Sequence, residues 1–100
     1  MAFEIKRLAS FEINALDIDE QLYELSANAS DNFYEDYCKK IKIIEENPYL
    51  YQVFEDDSYF RSAPLVYGYR LFYHVDEQQN AVILHRIIHG SMDLAHQLGE

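Results

Sequence analysis

The hydrophobic period of this chain changes at Asn47-Pro48, and that change limits what it can fold into. Before it, apolar residues recur every three or four positions, the spacing of a helix with one buried face. After it they alternate or run together, as residues in strands do. Helices first and strands afterwards predict an α+β chain.

Residues 3–8 alternate apolar and charged over their first four positions, which predicts a half-buried strand. A helix is expected over about 15–27, with Ala15, Ile18, Leu22 and Leu25 as its apolar stripe. Asp17 and Glu20 have capping-box spacing, and Asn14 is an equally good cap. Asn28-Ala-Ser-Asp reads as a break. A second helix over about 31–46 carries Tyr34, Tyr37, Ile41 and Ile44 on its stripe, with Cys38 beside it as a packing residue. Lys39, Lys40 and Lys42 fall off the stripe and should face water. Two amphipathic helices joined by so short a break form an antiparallel hairpin.

Residues 49–58 carry no clear period, and Glu55-Asp-Asp-Ser has the composition of an exposed loop. Strands are then expected at Tyr59–Pro64, Tyr67–Val75 and Ala81–Ile88. In the second of these, Tyr69, Leu71, Tyr73 and Val75 share one face, and Arg70, Phe72 and His74 the other. In the third, strict alternation places Arg86 with Val82, Leu84 and Ile88, and His85 and His89 with Ile83 and Ile87. Asp76–Asn80 is a hairpin loop, Gly90 ends the last strand, and 91–98 has the pattern of a short tail helix. The expected architecture is a two-layer sandwich: an N-terminal strand, an antiparallel helical hairpin, then a three-stranded antiparallel sheet.

A chain of 100 residues makes one domain, 1–100. The net charge of −10 is uneven: residues 1–58 balance to −9 and residues 59–100 to −1, and all four histidines lie in the second part. The acidic part should repel nucleic acid, so direct DNA binding by this chain alone is not expected. A single cysteine, Cys38, permits no internal disulfide, and no apolar run is long enough for a membrane span or a signal peptide. The expected setting is the reducing cytoplasm, with no membrane partner.

Tyr69-Arg-Leu-Phe-Tyr-His-Val-Asp76 and Val82-Ile-Leu-His-Arg-Ile-Ile-His-Gly90 resemble, in order and spacing, the signature of the RelE/ParE toxin superfamily of bacterial type II toxin–antitoxin modules. Arg61, nine residues before Arg70, stands where many members carry an arginine on the preceding strand. The family's element order is the one expected here. Two features differ from the common pattern: Ser91-Met92 replace basic residues after His-Gly, and the chain is acidic where such toxins are usually basic.

The resemblance implies a toxin neutralised by a cognate antitoxin protein, with no cofactor. It also implies one of two actions, binding to a protein such as DNA gyrase (ParE-like) or ribosome-dependent cleavage of messenger RNA (RelE-like). A third reading is a member without toxicity that serves as a binding partner. Cleavage through the 2′-hydroxyl needs cations at the phosphate and a proton-transfer pair. The candidates are Arg70, Arg86 and, as a further clamp, Arg61, with His89 or His74 as acid or base. The ParE-like reading needs no catalytic set and fits the charge and the Arg-x-x-His-Gly ending better, so it leads. Plainer roles stand beside these: Arg70 and Arg86 as ion-pair partners across the sheet, and His74 as a surface residue. His85 and His89 have a spacing that reaches one metal, but without a third ligand no metal site is expected. Tyr49 and Tyr51, in the irregular segment, are the candidate partner-contacting residues. If the antitoxin docks on the acidic helices, its segment should be richer in Lys and Arg than usual.

Overall fold

The computed structural model describes residues 3–55 and 57–90. In chain order the elements are β1 (Glu4–Arg7), α1 (Ala9–Leu25), α2 (Ala27–Glu46), β2 (Val53–Phe54), β3 (Asp57–Pro64), β4 (Tyr69–Asp76) and β5 (Ala81–His89), with a single 3-10 turn at Val66–Gly68. The tail helix expected over 91–98 lies outside the described residues.

The helical hairpin packs on a sheet ordered β1-β5-β4-β3-β2. The expected antiparallel trio β3-β4-β5 is present, but it is the middle of a five-stranded mixed sheet. β1 joins one edge parallel to β5, and the two-residue β2 joins the other. β2 is too short to show any alternation, and Asp57 and Ser58, read as loop, are the start of β3.

Both helices begin earlier than their stripes suggest. α1 starts at Ala9 because Phe11, fully buried, anchors its first turn against the sheet. Its N-cap is Leu8, with no side-chain hydrogen bond, so neither Asn14 nor Asp17 caps it. The buried stripe is Phe11, Ile18 and Leu22 with Ala15 beside it, whereas Leu25 extends past the sheet into water. The break between the helices is one residue. Ser26 is extended and its Oγ accepts from Ala29 N at 3.3 Å, so α2 begins at Ala27 and Asn28–Asp31 are helical.

The α2 stripe is Phe33, Tyr37, Ile41 and Ile44, one position away from the expected one at its start; Tyr34 and Cys38 are exposed. Cys38 is therefore not a packing residue. Lys40 does not simply face water either. It pairs with Asp36 at 3.2 Å and donates to Pro64 O at 2.6 Å, while Asp36 Oδ2 accepts from Val66 N at 3.0 Å. These bonds fasten α2 to the turn between β3 and β4. α2 stops at Asn47-Pro48 as expected.

The main core lies between hairpin and sheet and includes Phe11, Phe33, Ile44, Leu71, Tyr73, Val82, Leu84 and Ile87. Each such side chain contributes on the order of 2 kcal/mol by leaving water. At the centre, the Tyr73 hydroxyl donates to Pro48 O at 2.8 Å and ties the end of α2 to the sheet. A second apolar cluster, Phe60, Phe72 and Ile88 with Phe54, occupies the face turned away from the helices. The sheet thus has two apolar faces, only one of which the hairpin covers.

Candidate functional site

β4 alternates as expected. Tyr69, Leu71, Tyr73 and Val75 join the helix-side core, and Phe72 joins the outer cluster, so Arg70 and His74 share that outer face. β5 does not alternate throughout. Tyr73 pairs with Leu84 but Phe72 pairs with Arg86, which leaves His85 as the extra residue of a β-bulge. Val82 and Leu84 face the helices before the bulge and Ile87 faces them after it. Arg86 therefore lies with Ile88 on the outer face and not with Val82 and Leu84, and His89 lies on the helix side and not with His85.

The bulge also frees an edge of β5 that β1 does not reach, and α1 takes it over. Leu8 N donates to Leu84 O at 3.3 Å, Ser10 Oγ to His85 O at 3.5 Å, and Ile87 N to Asn14 Oδ1 at 2.5 Å. Asn14, read as a cap, is an acceptor for the sheet edge.

The candidate RNA-cleaving residues consequently divide between two faces. Arg70 and Arg86 are diagonal neighbours on the outer face, two residues apart in the β4–β5 pairing. Arg70 donates through Nε and Nη2 to Ser62 Oγ at 3.2 and 2.9 Å, so a hydroxyl holds it where an acidic neighbour was one expectation. It borders a hollow of about 540 Å³ that includes Gln52, Val53 and Phe54. Arg61 pairs with Tyr73 and points to the helix side. Its Nη1 donates to Tyr51 O at 2.8 Å and its guanidinium lies 5.1 Å from the centre of the Tyr49 ring. Arg61 braces the 49–51 segment and stands apart from Arg70. His89 packs edge-on against Tyr69, ring centres 5.0 Å apart, beside Gly68.

Two other histidines do meet on the outer face. His74 stacks on Tyr59 at 3.9 Å, and its Nδ1 is 3.1 Å from the Tyr59 carbonyl. The His85 ring meets Phe60 edge-on at 4.9 Å, and its Nε2 is buried with no hydrogen-bond partner among the described residues. Burial lowers the His85 pKa, and the nearby His74 and Arg86 push it the same way. His85 is thus held neutral, its Nε2 closed to a substrate. His85 and His89 lie on opposite faces, so their spacing brings no pair of ligands together. No group of three metal-ligating side chains occurs among the described residues.

Of the two candidate contact tyrosines, Tyr51 packs partly into the main core, whereas Tyr49 stays half exposed with its ring edge-on to Phe3 at 6.1 Å. Burial raises the Tyr49 phenol pKa, as does its hydrogen bond with Glu77.

The helical hairpin presents a feature absent from the expected sites. A mainly apolar groove of about 360 Å³ lies between α1 and α2, with Leu16 and Tyr34 on its rim and Phe33 and Tyr37 deeper in. Leu16 and Tyr34 are 63% and 62% exposed, high for side chains of their size on packed helices. The one sequence sign of it is Tyr34 next to the true stripe at Phe33 and Tyr37.

No helix among the described residues is long and apolar enough to cross a membrane. No curated protein sequence matches the chain. Among solved structures, the free E. coli toxin RelE carrying two arginine-to-alanine changes superposes with a TM-score of 0.65 at 18% identity, over 97% of this chain and 93% of that one. Isolated E. coli RelE gives a TM-score of 0.63 at 15% identity, over 98% and 95%. The RelBE2 toxin–antitoxin complex from Mycobacterium tuberculosis gives 0.59 at 15% identity, over 89% and 99%. These likenesses establish the RelE fold. Residues 7–94 match the family described as ParE toxin of type II toxin–antitoxin system, parDE. With the match running from the last residue of β1 past the end of β5, the chain belongs to the ParE toxin family.

Proposed function

We propose that this protein is the toxin of a type II toxin–antitoxin pair, held inactive by a cognate antitoxin, and that it acts in the cytoplasm by binding a protein target, with DNA gyrase the first candidate. The observation that carries this reading is the division of the candidate catalytic residues: Arg70 and Arg86 lie on one face of the sheet, Arg61 and His89 on the other. A phosphate cannot be clamped from both sides of a sheet. A protein-binding action needs only a stable fold and a surface. The net charge of −10 agrees with it, because approach to ribosomal RNA would be opposed at long range.

The test is the supercoiling activity of gyrase with increasing amounts of purified protein, run beside messenger RNA cleavage on programmed ribosomes. Inhibited supercoiling with intact message is the expected result. Ribosome-dependent cleavage with unaffected supercoiling would overturn it.

One observation favours a second reading. Arg70, Arg86 and His74 share the outer face with an aromatic cluster, and bases stack on such a surface. On that reading RNA cleavage is lost in an Arg70→Ala, Arg86→Ala double variant and unaffected by His89→Ala. Growth arrest by the chain, but not by that folded double variant, would place the activity on the outer face.

A further inference from the structure

Ser58, Tyr59 and Phe60 belong to β3 but fall between its registers. β2 pairs Phe54 with Asp57 and Val53 with Arg61, so these residues stand between consecutive partners. The register with β4 runs only from Arg61 to Pro64. Side chains hold the segment instead. The Tyr59 ring lies on the His74 ring at 3.9 Å, and His74 Nδ1 is 3.1 Å from the Tyr59 carbonyl. Phe60, buried in the outer cluster, meets Phe72 edge-on at 6.5 Å. Tyr59 and Phe60 also meet the His85 ring edge-on, at 5.9 and 4.9 Å. The segment is a strap across the outer face, fastened at two histidine rings.

The two fastenings respond differently to a proton. A carbonyl only accepts, so His74 Nδ1 carries hydrogen whether the ring is neutral or charged, and its bond to Tyr59 survives protonation. His85 Nε2 is buried with no hydrogen-bond partner among the described residues, so a proton there has nothing to bond. The surroundings supply no counter-charge to it. His74 on β4 and Arg86 on its own strand both oppose a positive His85. On the strap's own strand, Asp57 Oδ1 accepts from Tyr59 N, and Asp76 at the end of β4 accepts from the Gln78 and Gln79 amides. Glu55, after β2, borders the hollow beside Arg70, and Arg7 of β1 lines the groove on the helix side. From α1, Ser10 reaches only the His85 carbonyl, and Asp17 borders the hollow beside Arg86.

We propose that Ser58–Phe60 is an acid-released strap: a proton taken up by His85 drives its ring into water, lifts Tyr59 and Phe60 from the sheet, and uncovers Phe72 and Ile88 beside Arg70 and Arg86. The direction follows from burial, which together with His74 and Arg86 lowers His85 below its ordinary 6.5. The open form takes up the proton near 6.5 and the closed form only below it, so falling pH favours opening. The rest of the fold is held independently, because β3 is paired with β4 from Arg61 onward and the main core lies on the other face. The strap belongs to the fold whatever the chain binds, so its failure would leave the toxin–antitoxin reading in place.

The test is proton NMR of the full chain, wild type and His85→Phe, between pH 7.5 and about 5. It reads the cross-peak between the Phe60 ring and the ring at position 85. The cross-peak between Phe33 and Tyr69, whose rings are 5.7 Å apart in the main core, reports on the fold. In the wild type the Phe60 cross-peak is expected to weaken by about fivefold or more while the Phe33–Tyr69 one is unchanged. In His85→Phe both should persist across the range. The wild type also decides alone, because loss of the contact must follow the same curve as the titration of the His85 ring protons. A contact that survives His85 protonation, or that is lost at a different pH, would overturn the strap. So would an equal loss in folded His85→Phe, or a simultaneous loss of the Phe33–Tyr69 cross-peak, which would make the transition global.

Discussion

Replacing Tyr73 by Phe keeps a fully buried ring and removes one hydroxyl, which donates to Pro48 O at 2.8 Å. The Pro48 carbonyl then loses its donor in a place where water does not easily replace it, a loss of about 1–2 kcal/mol. For a domain of this length that lowers Tm by roughly 5–15 °C. The pH dependence isolates the cause. Burial pushes the Tyr73 phenol up to about 12, partly offset by the nearby Arg61 charge, against the ordinary 10 of the unfolded chain. The folded protein therefore keeps its proton where the unfolded chain loses it. The stability this contributes is complete below pH 10 and disappears as pH rises from 10 to about 12. One unit above 10, ionisation of the unfolded phenol alone removes about 1.4 kcal/mol. Phe has no proton to lose, so the variant lacks this dependence. Urea unfolding followed by circular dichroism should therefore give a gap of about 1–2 kcal/mol at pH 7.5 that nearly closes at pH 11. A gap of the same size at both pH values, or none at pH 7.5, would refute the reasoning.

Asn14→Ala should destabilise by about 1–3 kcal/mol and speed hydrogen exchange at the Ile87 amide, whereas Asp17→Ala should do little; equal effects would restore a capping role. Gly68→Ala should lower stability by about 1–2 kcal/mol in thermal unfolding, because Gly68 has φ of +81° and a Cβ there would stand 3.2 Å from His89 Nε2. His85 has a lowered pKa, so the unfolded chain binds its proton first and wild-type stability falls as pH drops below about 6.5. His85→Phe should flatten that fall between pH 7.5 and 5, and unchanged acid sensitivity would count against the buried, neutral His85.

Much of the fold could be read from the sequence where a period persists. β4 kept its faces because Tyr69 to Val75 pair without interruption on their own strand. The stop of α2 was legible because Asn47-Pro48 acts locally. What escaped were features decided by a distant partner. α1 begins at Ala9 because Phe11 finds the sheet, and no residue near Leu8 supplies a cap to announce it. Lys40 looks solvated on a helical wheel, but the β3–β4 turn comes back to meet it. β1 and β2 join the sheet through pairing that strand spacing does not encode.

The candidate site was misread for a similar reason, and a single residue accounts for it. Alternation along β5 assigns Arg86 and His89 to faces on the assumption that every residue has a partner. His85 has none, and one unpaired residue reverses every later assignment. Without the bulge, Arg86 would point its guanidinium into the core among Leu84 and Val82, a position that the cost of burying a charge disfavours. The bulge turns Arg86 outward and brings Ile87 in, so the core is filled by an apolar side chain. The same step carries His89 to the helix side and separates it from Arg86 and Arg70. A histidine separated from Arg70 and Arg86 by the sheet itself cannot serve those two arginines as acid or base, which leaves His74, with His85 closed to substrate, as the histidine on their face. The bulge that lets β5 bury Ile87 is therefore also what removes His89 from the RNA-cleaving reading and confines that reading to the outer face.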